Sequence, residues 1–134
     1  MHYFWLVMII GFAGFLGTLL RFGISEGIIT VSKGVFPWGT LFVNIAGCFI
    51  IGLVWHWMSL STISSHWKYS ILYGVLGAFT TFSTFALDGI RLMQDGHIKL
   101  AIIYFLVSNI GGFLFVFLGY QLFGYCRYLK GSFF

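Results

Sequence analysis

Charge is what this sequence has least of. Seven Lys or Arg and three Asp or Glu among 134 residues make 7% charged, against about 25% in a soluble domain. The carboxylates are Glu26, Asp88 and Asp95, too few and too scattered for paired acid–base catalysis, so an enzyme is not expected. Proline occurs once, at Pro37, and cysteine twice, at Cys48 and Cys126. The two cysteines lie in different apolar blocks without the spacing of a redox pair or a zinc knuckle, and both read as small hydrophobes. The basic excess of +4 is spread thinly and forms no phosphate-neutralising patch, which excludes nucleic acid as a partner. His2, His56, His66 and His97 sit toward block ends without i, i+4 pairing, so neither a metal centre nor a haem is expected from them.

Apolar residues fill the space that charge leaves: 60% hydrophobic and 22% aromatic, with 17 Phe and 18 Gly. A single small domain has too little interior to hide this much Phe, Leu and Ile from water, whereas lipid accepts it. One membrane span takes about 20 apolar residues. The sequence divides into four such blocks, at about 3–24, 38–60, 67–93 and 98–123, and residues 1–134 form one all-α transmembrane domain. The first block lacks a positive n-region and a small-residue cleavage pattern, so it reads as a retained span and not as a signal peptide. Pro37 falls just before the second block, where a helix start tolerates it.

The third block is not uniform. Its middle runs Gly74, Gly77, Ala78, Phe79, Thr80, Thr81, Phe82, Ser83, Thr84, Phe85, combining flexible glycine with hydroxyls that compete for backbone groups. A break in this helix is predicted. Non-helical backbone at membrane depth survives only where protein or a water-filled cavity satisfies it, so the break points to a functional interior. Charge does not fix an orientation. With four spans, one side of the membrane receives Lys68, Arg127 and Lys130 and the other Lys33, Arg91 and Lys99, three against three. Arg21, near the end of the first span, adds at most one. The usual positive-inside bias is nearly absent, which predicts insertion in both directions and an antiparallel, two-fold pairing of two copies.

Three clusters inside the spans carry neutral donors. Thr40 and Asn44 share a face of the second span by i, i+4 spacing, with Gly47 beside them. Two readings of Asn44 stand: an interhelical hydrogen bond worth about 0.6 to 2 kcal/mol, or an amide N–H that faces a passing anion. In the third span, Phe82 and Phe85 project to the same side at i and i+3, flanked by Thr81, Ser83 and Thr84. An aromatic ring has a positive edge, so these rings either pack or line an anion path. Tyr104 and Ser108 are an i, i+4 hydroxyl pair on the fourth span, followed by Asn109, Gly111 and Gly112; they serve as helix–helix glue or as further donors. Together the clusters offer donors without a buried cation strong enough to trap an anion, and conduction requires binding weak enough for release.

At these residues the sequence closely resembles the Fluc/CrcB family of fluoride channels. Gly14, Gly17 and Arg21 resemble its glycine-rich first span; Gly39, Thr40, Val43, Asn44 and Gly47 resemble its second-span motif; residues 77–85 resemble its broken third helix. The resemblance implies a dual-topology antiparallel homodimer in a bacterial-type inner membrane, with two fluoride pores lined by both subunits. It implies that Phe82 and Phe85 contact fluoride with their ring edges and that Asn44 is a pore-lining donor. Thr81, Ser83 and Thr84 would flank the rings, Tyr104 and Ser108 would form a polar track, and Arg21 would line a positive vestibule. Gly77 and Thr80 would offer backbone carbonyls to a structural sodium ion on the two-fold axis, a hard cation suited to oxygen ligands. The chain departs from the family pattern at Gly112, where relatives carry a hydroxyl, and at Asp88, where they carry glutamate. Two other functions remain open: a proton-coupled exporter of small cations, which needs a mid-membrane acid, and a structural membrane subunit whose Asn, Gly and Thr residues serve packing alone.

Overall fold

The computed structural model describes residues 2–131, with side chains from 3 to 129; the side chains of His2 and Lys130 lie outside the described set. Every regular element is helical: α1 (His2–Ser32), α2 (Trp38–Leu60), α3 (Ser65–Tyr69), a π-helical stretch (Ser70–Leu76), α4 (Gly77–Phe79), α5 (Phe82–Gln94) and α6 (Ile98–Gly131). Among the described residues four segments are long and apolar enough to cross a membrane, and the stretch from α3 to α5 is the third of them. Most large apolar side chains point outward, Phe113, Tyr3 and Val31 among them. Such a surface is stable where the solvent is lipid, because a helix satisfies its own backbone and needs no water.

The helices run further than the apolar blocks alone suggest. Helix α1 continues through Ser25 and Glu26 to Ser32, and α6 reaches Gly131. Nothing in either segment breaks a helix, so the internal hydrogen-bond ladder continues past the apolar boundary. Helix α1 stops where Lys33 takes a left-handed φ of 44°. Pro37 then caps α2, its carbonyl accepting from the Leu41 N–H at 3.1 Å, as the position of the only proline predicts. Helix α5 ends on Gly96 at φ 80°. There the His97 N–H bonds the Leu92 carbonyl and the Gly96 N–H bonds that of Met93, a C-terminal closure that requires the conformation glycine adopts without penalty.

Helices approach closely wherever a side chain is missing. A Cβ on Gly52 would strike the Val116 carbonyl of α6, and one on Gly119 would strike the Phe49 carbonyl of α2. On the other side of the molecule, a Cβ on Gly17 of α1 would meet the Val75 carbonyl, and one on Gly74 would stand 2.6 Å from Ala13 Cβ. In lipid, association gains nothing from hiding apolar surface and depends on such close backbone packing. The compact core is correspondingly small: Leu41, Phe85, Leu92, Ala101 and Tyr104.

Candidate functional site

The third span breaks at Thr80 and Thr81, both extended, with φ/ψ of −90°/158° and −148°/113°. The break lies inside the Gly/Thr/Ser stretch that predicts it. Unwinding strips amides and carbonyls of their helical partners, and each must be satisfied elsewhere. The Thr81 N–H donates to Asn44 Oδ1 at 2.7 Å, and Asn44 Nδ2 donates to the Thr81 carbonyl at 3.0 Å. One amide side chain thus mimics the missing strand of backbone. Thr81 then caps α5: its Oγ1 accepts from the Thr84 N–H at 3.2 Å and donates to Thr84 Oγ1 at 2.9 Å, with Ser83 Oγ 3.4 Å away. Asn44, Thr81, Ser83 and Thr84 are therefore brought together, and the interhelical hydrogen bond is one of Asn44's functions. Its second N–H is not used in this clamp.

A cavity of about 280 Å³ opens beside the break, lined by Asn44, Gly77, Thr80, Phe82, Phe85 and Ser108, among others. The two phenylalanines share one side, with ring centroids 5.6 Å apart, yet their environments differ. Phe85 is 8% exposed and packs on Tyr104 at 5.1 Å, whereas Phe82 is 78% exposed. The Ser108 hydroxyl is buried without a hydrogen-bond partner. Tyr104 is wholly buried and its hydroxyl is also unbonded, although it lies near Thr40 and Asp88. In a low-dielectric interior an unpaired hydroxyl is costly, and each of these two groups keeps an unused hydrogen-bonding capacity. Gly47 makes the approach possible: a Cβ there would collide with the Thr80 methyl.

Two features of the site are not evident from the motifs. Thr40 Oγ1 donates to Asp88 Oδ2 at 2.7 Å, and Asp88 Oδ1 lies 3.9 Å from Arg91 Nη1. The pairing of a span hydroxyl with the one acid in the third block was the available signal, but the two are 48 positions apart. Arg21 occupies a second cavity, of about 350 Å³, lined also by Thr18, Ser25, Glu26, Thr40 and Thr84. Thr81 lines both cavities, so the broken backbone is the wall between them. Tyr104 is not among the residues lining the cavity that holds Ser108; it lines another, of about 440 Å³, with Phe82, Phe85 and Phe105. The i, i+4 pair of α6 therefore serves two compartments.

The break also frees carbonyls, those of Gly77 and Thr80 among them. In an unbroken helix, Gly77 O and Thr80 O would accept from the Thr81 and Thr84 amides; those amides donate instead to Asn44 Oδ1 and Thr81 Oγ1. Both residues face the same cavity, and released carbonyl oxygens are the ligand type a small hard cation takes. Cys48, half-buried, also lines this cavity, and Cys126 is exposed, both as free thiols; away from the site, His56 Nδ1 lies 2.7 Å from the Tyr120 carbonyl where α2 meets α6.

Comparison with known proteins gives a consistent result. The family model described as CrcB-like protein, Camphor Resistance (CrcB), matches residues 8–120. The chain is similar to the fluoride-specific ion channel FluC of Parabacteroides distasonis, 42% identical over 113 residues that make up 84% of this chain and 87% of that protein. It is also similar to the FluC proteins of Thermus thermophilus, 38% identical over 117 residues (87% of this chain, 92% of the relative), and Shewanella piezotolerans, 42% identical over 117 residues (87% and 94%).

Proposed function

This chain belongs to the CrcB family, and from that premise we infer that it is a fluoride-specific ion channel, a multi-pass membrane transporter and not an enzyme. Its task is passive export. Hydrogen fluoride crosses membranes as a neutral weak acid and ionises in a more alkaline cytoplasm, where the anion is trapped without a pathway. A negative-inside potential of 100 mV drives a monovalent anion outward by about 2.3 kcal/mol. That corresponds to roughly fiftyfold in concentration at about 1.36 kcal/mol per decade, so no chemical fuel is required.

The working unit is an antiparallel homodimer in the inner membrane with two pores, each lined by residues of both subunits. What supports this reading is the balance of Lys and Arg between the two sides and the exposure of Phe82, a ring beside the polar break with 78% of its surface uncovered in the single chain. Fluoride passes the edges of Phe82 and Phe85 and takes hydrogen bonds from the free N–H of Asn44 and from Ser108. Thr81, Ser83 and Thr84 hold the wall, Tyr104 supplies a donor on the Thr40 and Asp88 side, and Arg21 draws anions into the vestibule. A ring edge is a weak, dry, electropositive contact, and neutral donors bind an anion without trapping it. Selectivity over chloride follows from replacing the hydration shell of the smaller ion in a narrow path. The carbonyls of Gly77 and Thr80 would hold a sodium ion, which would supply a fixed positive charge between the subunits.

The observation that carries the reading is the unpaired hydroxyl of Ser108 in the cavity that Asn44, Phe82 and Phe85 also line. The test is fluoride efflux from loaded proteoliposomes, read with a fluoride electrode, with chloride as the control. Phe82→Ile and Phe85→Ile should each abolish fluoride efflux while the dimer remains intact on size-exclusion chromatography. Undiminished efflux from both removes the rings from the mechanism, and equal chloride efflux from the wild type removes the selectivity.

A further inference from the structure

Helix α1 is almost wholly apolar, yet it carries two opposite charges, Arg21 and Glu26. Five residues of an α-helix turn through about 500°, which leaves the two side chains about 140° apart around the axis. They form no ion pair: among the described residues the salt bridge present is that of Arg91 with Asp88. Both nevertheless line the cavity of about 350 Å³ whose far wall is Thr40, Thr81 and Thr84. Arg21 Nε is buried there without a partner. Glu26 is exposed, and its backbone carbonyl, not its carboxylate, takes the hydrogen bond from Thr30.

An unneutralised guanidinium at the entrance of an anion path raises the local concentration of anions, of whatever kind, and with it the rate at which they enter. We propose that Glu26 is a conductance-setting residue of the vestibule, a fixed negative charge that offsets Arg21 and limits anion accumulation ahead of the break. The proposal rests on the channel reading above. A unit charge about 10 Å from a passing ion, the scale of this cavity, changes local anion concentration about twofold in water-like surroundings. The effect is long-ranged at low salt, where the screening length is about 30 Å at 0.01 M, and vanishes at high salt, where it falls to about 3 Å at 1 M. Packing changes carry no such dependence, so ionic strength separates a charge effect from a structural one.

The experiment records fluoride current through wild-type, Glu26→Gln and Glu26→Asp protein in planar bilayers, at about 0.01 M and about 1 M total salt. Glu26→Gln should carry about twice the wild-type current at low salt and the same current at high salt, and Glu26→Asp should match the wild type at both. A Glu26→Gln current equal to or below wild type at low salt overturns the proposal, as does a gain that persists at high salt. Wild-type protein that is silent to fluoride overturns the channel reading together with it, whereas wild-type fluoride current with an unresponsive Glu26→Gln overturns this proposal alone.

Discussion

Helix α2 meets two of its neighbours by opposite means. Toward α6 it removes side chains: Gly52 lies against the Val116 carbonyl, and Gly119 of α6 lies against the Phe49 carbonyl. Toward the broken third span it adds polar ones: Asn44 closes on both backbone groups of Thr81, and Thr40 binds Asp88. The first face joins two helices whose backbones are already satisfied, so apart from the His56 contact with the Tyr120 carbonyl the approach is limited by bulk. The second joins a helix to unwound chain, so contact depends on supplying hydrogen bonds. A membrane protein keeps its scaffold on the first kind of seam and tolerates irregular backbone on the second.

Substitutions can separate the two seams. Gly52→Leu should have the largest effect, because the added side chain meets backbone that cannot rotate away; a cost of about 3 kcal/mol is expected, read as loss of the monodisperse peak on size-exclusion chromatography. Asn44→Leu comes next. It leaves the Thr81 N–H and carbonyl unpaired at a cost of about 2 to 3 kcal/mol, lowers the thermal midpoint in detergent and abolishes fluoride efflux. Asn44→Asp sharpens the comparison: it keeps the acceptor for the Thr81 N–H, so more stability survives, but its carboxylate repels the anion and efflux is still lost. If Asn44→Asp conducts like the wild type, the amide is scaffold alone. Thr40→Val deprives Asp88 of its shortest hydrogen bond and should cost about 1.5 to 2 kcal/mol, measured by the same thermal shift, with Thr40→Ser restoring it. The smallest effect is expected from Thr81→Ala, which removes the cap of α5 at about 1 kcal/mol; hydrogen exchange of the Thr84 amide should accelerate while the seam with α6 is unaffected.

Much of this is legible in the sequence. Four apolar blocks, the helix start after Pro37 and a break within the Gly77 to Phe85 stretch all follow from local composition, because a span in lipid must be helical unless something interrupts its hydrogen bonds. The Phe82 and Phe85 pair and the Thr40 and Asn44 face follow from helical spacing. Local pattern did not reveal the far ends of α1 and α6, since continuing a helix into water costs too little to leave a mark in hydropathy. Nor did it reveal that Tyr104 and Ser108, adjacent on one face of α6, open onto different cavities. That division depends on how α2 and α5 pack against α6.

The sequence by itself determined the solvent, the number of spans and the place where the third one yields, because these depend on residues a few positions apart. Tertiary structure alone decided which polar groups are consumed and which are left over. Asn44 reaches Thr81 across 37 positions and Thr40 reaches Asp88 across 48, while Tyr104 and Ser108 keep unbonded hydroxyls. The physical reason is that a hydrogen bond requires a partner within about 3 Å, and only the packing of distant helices brings a partner that near or withholds it.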